Sequence, residues 1–204
     1  MKTINIFLAS SSELKFDREQ FEIYINRKNK MWIQKGIFLR LDIWEDFLDV
    51  VSQTRLQDEY NKVIKDGDLF VMLFAKNVGK FTNEEFETAF GQFKVTNRPA
   101  ILVYFKDVSL SIATINQDDM MSLWAFQKRL KEIGHFYTAF TTIDGLLHHF
   151  NHQLDLLVEK EIIELSNEIN SEAVDLTSYN STIGDHNSNI NIQQGNGNHI
   201  RKPQ

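Results

Sequence analysis

Three carboxylates stand close together in the segment 79–93: Glu84, Glu85 and Glu87. On a helix, Phe86, Ala89, Phe90 and Phe93 form one buried stripe. At about 100° per residue, Glu84 then points nearly away from that stripe, while Glu85 and Glu87 flank it at roughly a quarter turn. A carboxylate at such a margin can stabilise developing positive charge, as in an oxocarbenium-like transition state. Helical geometry sets Glu84 aside and leaves Glu85 and Glu87 open. Acids in the first turn of a helix also complement its macrodipole, which accounts for all three without any chemistry.

Other chemistry-bearing groups are fewer. Ser10 and Ser11 follow a short apolar run, and their hydroxyls with the free N–H groups of a helix start could hold a phosphate. Ser10-Ser11-Ser12-Glu13 also reads as a plain capping box. Neither G-x-G-x-x-G nor G-x-x-x-x-G-K-[ST] occurs, which disfavours a conventional dehydrogenase or P-loop ATPase. His148 and His152 are spaced i, i+4, but no H-E-x-x-H motif accompanies them and no metal site is expected. The chain has no Cys, so thiolate nucleophiles, thiolate metal sites and disulfides are excluded.

The elements that must position these groups follow from hydrophobic periodicity. Residues 4–9 predict a strand and 13–29 a helix, with Gly36 ending the connection that follows. Residues 37–44 alternate with period two, as an edge strand would, with Leu39, Leu41 and Ile43 on one face. Thr54 and Gln57 suggest a second capping box before a helix with Leu56, Tyr60, Val63 and Ile64 as its stripe. Residues 69–75 are apolar on both faces, as expected for a central parallel strand. A helix near 83–93, a strand at 101–105, a helix within 118–133, a strand at 136–140 and a long helix over 143–169 follow. Five strand–helix alternations predict a doubly wound α/β fold with a five-stranded, mainly parallel sheet. In such sheets the ligand crevice lies beyond the carboxyl ends of the strands.

Composition bounds the rest. The chain has 204 residues, 42% hydrophobic and 12% aromatic, which suits one packed core with an appendage. A formal net charge of -6 gives no footprint for nucleic acid or an anionic membrane. No apolar run reaches the ~18 residues of a membrane span and no signal peptide is visible, so a cytoplasmic protein is expected. Residues 1–170 are expected to form the domain, and 171–204 a low-complexity Asn/Gly/Ile tail.

Phe81-Thr82-Asn83-Glu84-Glu85-Phe86-Glu87-Thr88-Ala89 resembles the segment W-C-x-x-E-[LI]-x-x-A of Toll/interleukin-1 receptor (TIR) domains. There it carries the catalytic glutamate on the third helix. Phe81 stands where Trp is usual and Thr82 where Cys is common. Phe7-Leu8-Ala9-Ser10-Ser11 resembles the opening strand of bacterial TIR-like proteins, and element order matches over roughly residues 3–160. The resemblance implies Glu85 as the catalytic residue, with Ser10, Ser11, Trp44, Arg55 and Phe81 lining the substrate site. Trp44 to Leu56 falls where the family has its BB loop, where Trp44 would stack on a ring and Arg55 meet a phosphate; packing and surface solvation are the plain alternatives. The reaction implied is cleavage of the nicotinamide–ribose bond of NAD, a substrate rather than a cofactor, by hydrolysis or cyclisation. Nicotinamide in NAD is already cationic and can leave without a general acid, so one carboxylate suffices.

Within residues 182–200, Asn or Gln alternates with Ile over 189–193: as a strand, Asn189, Asn191 and Gln193 face one side, Ile190 and Ile192 the other. Stacked between chains, this yields amide ladders and a dry apolar zipper. The tail is similar to bacterial amyloid signalling motifs and, more loosely, to the RIP homotypic interaction motif, from which it departs at Gln194. An unstructured polar terminus is the alternative. The resemblance implies self-association through the TIR-like domain, triggered by a receptor with a matching tail, in antiphage or cell-suicide immunity. Two other functions fit the same residues: a non-catalytic adaptor acting by assembly, and a nucleoside or nucleotide N-glycosidase.

Overall fold

The computed structural model describes residues 1–43, 56–109 and 116–160. Five strands, β1 (Lys2–Ser10), β2 (Ile37–Asp42), β3 (Leu69–Phe74), β4 (Ala100–Lys106) and β5 (Thr138–Phe140), alternate with five helices. The helices are α1 (Lys15–Trp32), α2 (Leu56–Asp66), α3 (Lys80–Thr96), α4 (Gln117–Glu132) and α5 (Ile143–Glu159). The strands form one sheet in the order β2-β1-β3-β4-β5, with every pairing parallel. This is the doubly wound α/β architecture expected from the alternation.

Side-chain period two divides the core between the two faces of the sheet. Ile4, Ile6 and Leu8 of β1 pack with Phe21 and Ile25 of α1 and with Phe150 of α5. Phe7 and Ala9, on the other side, join Ile64 of α2, Phe86 of α3 and Phe126 of α4. Every residue of β3 is buried, because helices cover it on both sides. β2, at the sheet's border, is only partly buried. Asp42, expected on its solvent side, is nevertheless buried, with its carboxylate 3.1 Å from Arg40 Nη2.

Several boundaries differ from expectation for identifiable reasons. β5 begins at Thr138, two residues late, and Phe136 is exposed. α3 starts at Lys80, with Gly79 as its N-cap in an extended conformation. Glu84, Glu85 and Glu87 therefore lie beyond the first turn, where the macrodipole contributes less. The first capping box does not form: Ser11 caps a short 3-10 turn without a side-chain bond, and Glu13 Oε1 instead accepts from Lys76 N at 2.9 Å. Thr54, Trp44, Arg55, the far half of the last helix and the tail at 182–200 lie outside the described residues.

No helix among the described residues is long and apolar enough to cross a membrane.

Candidate active site

The strand order reverses between β1 and β3, whose carboxyl ends meet at the Ser10–Leu73 register. That is where open parallel sheets leave a crevice. Ser10 continues the Ile4, Ile6, Leu8 side of β1, so it faces α1. Its Oγ accepts from Arg18 Nη1 at 2.6 Å, and Arg18, though cationic, is almost wholly buried. Next to it, Ser11 Oγ is buried with no hydrogen-bond partner. An unpaired buried hydroxyl costs free energy, so a polar ligand atom reaching it would recover that cost. Asp17, also on α1, is buried and takes a two-oxygen contact from Lys106 Nζ at the end of β4, at 2.7 and 3.0 Å.

Across the sheet, α3 carries the carboxylates. Its buried residues are Thr82, Glu85, Phe86 and Ala89, a stripe at i, i+3, i+4 and i+7. The stripe expected from sequence, with Phe90 and Phe93 in it, is rotated: Phe93 is exposed. The longer helix lies against both α2 and the sheet, and this turns Glu85 inward rather than leaving it at the margin. Phe81, in the first turn, is 61% exposed.

The environments of the three acids separate them. Glu87 forms a paired contact with Arg129 of α4, at 3.0 Å to Nε and 3.1 Å to Nη2, an ion pair that explains its presence structurally. Glu84 Oε1 accepts from Asn61 Nδ2 of α2 at 3.2 Å. Glu85 is only 6% exposed, and among the described residues no cation faces it. Burial pushes its carboxyl up to about 7; a hydrogen bond from Gln57 of α2 opposes this, and the Glu84 charge adds to it. Gln57 also bonds Asn61 Oδ1 at 3.4 Å, which Thr88 Oγ1 reaches at 3.2 Å. The α2–α3 seam thus holds a buried carboxylate in a network of Gln57, Asn61 and Thr88, with no cation against it among the described residues.

Gln57, Asn61 and Arg18 were not singled out by sequence as parts of a site. Gln57 reads there as a capping partner, and nothing in its spacing reveals that it faces α3. Arg18 sits among charges in a helix, where exposure is the ordinary expectation. Among the described residues, no hydrogen bond joins Ser10 or Ser11 to Glu85. The two groups occupy opposite faces of the sheet. No three His, Asp or Glu side chains converge as a metal would require, again among the described residues; His149 instead meets the hydroxyl of Tyr104 at 3.2 Å.

No protein-family model matches the chain, and no curated protein matches it. Solved structures similar to it include the RPS4 and RRS1 TIR domain heterodimer, 12% identical over 76% of this chain and 97% of that one, with a TM-score of 0.46. Another is the CMP N-glycosidase BcmB of Clostridium botulinum, 18% identical over 76% and 99%, TM-score 0.42. A third is a conserved protein from Enterococcus faecalis V583, 10% identical over 74% and 99%, TM-score 0.41.

Proposed function

We propose that the chain cleaves the nicotinamide–ribose bond of NAD, with Glu85 as the catalytic carboxylate. The observation that carries this reading is that Glu85 is buried and, among the described residues, faces no cation, whereas Glu87 is committed to Arg129. An isolated carboxylate of this kind costs stability, and such costs concentrate at functional sites. The TIR-like segment around it supplies the reaction class.

In the proposed step, the bond between the ribose C1′ and the pyridinium nitrogen breaks, and its electron pair leaves with neutral nicotinamide. Positive charge moves onto C1′ and the ring oxygen. Ionised Glu85, buried beside Gln57, stabilises that charge more strongly than an exposed carboxylate would. Water then adds to C1′ and loses a proton to give ADP-ribose, or an adenine nitrogen adds to give a cyclic product. Gln57 holds the carboxylate in place through its amide. In this scheme Trp44, Arg55 and Phe81 line the substrate site on the Glu85 side, Ser10 and Ser11 border it from the other face at the carboxyl end of β1, and assembly of several chains switches it on.

A second reading draws on the same carboxyl. Near pH 7 Glu85 is protonated about half the time, and a protonated carboxyl could donate to the base of a nucleotide, as an N-glycosidase requires. The two readings predict opposite pH dependence. NAD cleavage by ionised Glu85 rises as pH passes upward through 7, whereas N-glycosidase activity through the acid form falls. Following nicotinamide release from NAD and free base from nucleotides, with wild type, Glu85→Gln, Glu87→Gln and a chain ending near Ser171, decides between them. Loss of nicotinamide release in Glu85→Gln but not in Glu87→Gln supports the proposal. Unchanged release in Glu85→Gln refutes it.

A further inference from the structure

Three exposed aromatic rings gather at one place. α4 presents Trp124, 60% exposed, and the connection into β5 presents Phe136 and Tyr137, 84% and 39% exposed. They line a groove of about 770 Å³ between the second half of α4 and residues 135–137, a volume suited to one small organic ligand. On the helix side Trp124, Gln127, Lys128 and Lys131 follow at i, i+3, i+4 and i+7, which is one face. On the strand side the Tyr137 ring is fixed edge-on against Phe74 at 6.1 Å and Phe105 at 5.8 Å. His135 N donates to Leu130 O at 2.9 Å, which ties the connection back to α4.

The charge of the groove runs against that of the chain. The net charge is -6, yet no Asp or Glu lines the groove, whereas Lys128 and Lys131 do. Lys128 makes only a 3.9 Å contact with Glu132, one turn on and largely exposed, a pair worth little in water. Lys131 has no ion pair among the described residues. Burial lowers the pKa of His135, so near pH 7 its imidazole adds a neutral ring to the wall rather than a charge. Lysines near a helix end complement the macrodipole, but that effect calls for no open aromatic faces beside them. Two other cavities lack the combination. One, between β5 and α5, is lined by Asp107 and by no lysine or arginine; the other, on α2, mixes Asp58 and Asp66 with Lys62 and Lys65 and has no ring.

We infer that this groove binds a purine mononucleotide, with its base stacked on Trp124 and the Phe136–Tyr137 rings and its phosphate held by Lys128 and Lys131. Open ring faces favour a large planar partner. The lysines supply charge-assisted contacts to a phosphate, and the Gln127 amide both donates and accepts toward a base edge. An acidic chain repels a long polyanion, which limits the occupant to a single nucleotide. Residues 135–137 enter β5 from its amino end, so the groove lies at the opposite edge of the sheet from the carboxyl-end crevice and from the start of α3. It is a second site, independent of the proposed NAD cleavage at Glu85.

Calorimetric titration of AMP into the full chain tests this. Saturable binding is expected with a dissociation constant below about 1 mM, and adenosine, which lacks the phosphate, should bind at least about fivefold more weakly. Trp124→Ala should weaken AMP binding by about tenfold or more, the loss expected for one stacked base, and Lys131→Gln by about threefold or more. Both side chains are exposed, and circular dichroism confirms that the variants are folded. Met121→Ala, exposed on the same helix but outside the groove, should bind AMP as wild type does. Stacking on Trp124 should also quench indole emission, and Trp124→Phe should lose that quench while still binding by calorimetry.

Glu85→Gln should bind AMP with wild-type affinity, which separates this site from the proposed catalytic one. The inference is overturned if AMP gives no saturable heat at several millimolar, or if Trp124→Ala and Lys131→Gln bind like wild type. It is equally overturned if adenosine matches AMP, if Met121→Ala loses as much as Trp124→Ala, or if Glu85→Gln abolishes binding. Oligoadenylate binding more than about tenfold tighter than AMP would make the groove part of a strand-binding surface and would overturn it too.

Discussion

Replacing Glu85 by glutamine should stabilise the protein at alkaline pH while removing the proposed nicotinamide release. In the unfolded chain this carboxyl titrates near 4.5, and in the folded protein near 7. Between those values the native state holds a proton that the unfolded state has lost, so stability falls as pH rises through the window, and the full cost is present above it. The gap, at about 1.4 kcal/mol per pH unit, amounts to about 3 kcal/mol. Glutamine has no charge to desolvate and keeps a carbonyl oxygen for the Gln57 amide. The variant should therefore gain up to about 3 kcal/mol at pH 8, roughly 6–12 °C in Tm for a chain of this size. The gain should shrink to a few tenths of a kcal/mol near pH 4.5. Thermal unfolding of wild type and Glu85→Gln from pH 4.5 to 8 measures this directly. A Tm difference that does not change with pH would show that Glu85 is not held as a desolvated carboxylate, and the electrostatic reasoning about the site would fail with it.

Other expectations are smaller in scope. Glu87→Gln breaks a half-exposed ion pair with Arg129 and should cost under about 1 kcal/mol in urea unfolding, with nicotinamide release close to wild type. Gln57→Leu removes the donor that favours ionised Glu85, so the acid limb of a kcat/KM against pH profile should move to higher pH. In the Asp17–Lys106 pair, Asp17 is buried and Lys106 reaches solvent. Lys106→Met should therefore cost about 3–5 kcal/mol by leaving a buried carboxylate alone, and Asp17→Asn should cost less; equal losses on denaturation would contradict that asymmetry.

How far the sequence carried these conclusions depended on whether the relevant signal was local. β3 could be located from its continuous apolar run, and the alternation of elements sufficed for a parallel sheet, because burial on both faces writes itself into composition. The start of α3 was misplaced because Gly79 rather than Asn83 begins the helix, an ambiguity that helix-start signals do not resolve. The buried stripe runs through Thr82, Glu85, Phe86 and Ala89 rather than on to Phe90 and Phe93, because α3 packs against α2 as well as the sheet. The distinction between Glu85 and Glu87 was not legible locally at all. It arises from Arg129 and Gln57, which lie 42 and 28 positions away in sequence and meet α3 only through tertiary packing. The same holds for Arg18, whose burial against Ser10 depends on how α1 docks on β1.

In the proposed reaction ionised Glu85 acts at the nicotinamide–ribose bond. Nicotinamide release by assembled wild-type chain and by Glu85→Gln, followed from pH 6 to 8, tests it most directly. Wild-type turnover should rise through about pH 7, and the variant should be slower by roughly 10²–10³-fold at pH 8, the loss typical of removing one preorganised electrostatic contact. Turnover in Glu85→Gln equal to wild type, or NAD left intact by both, would contradict it.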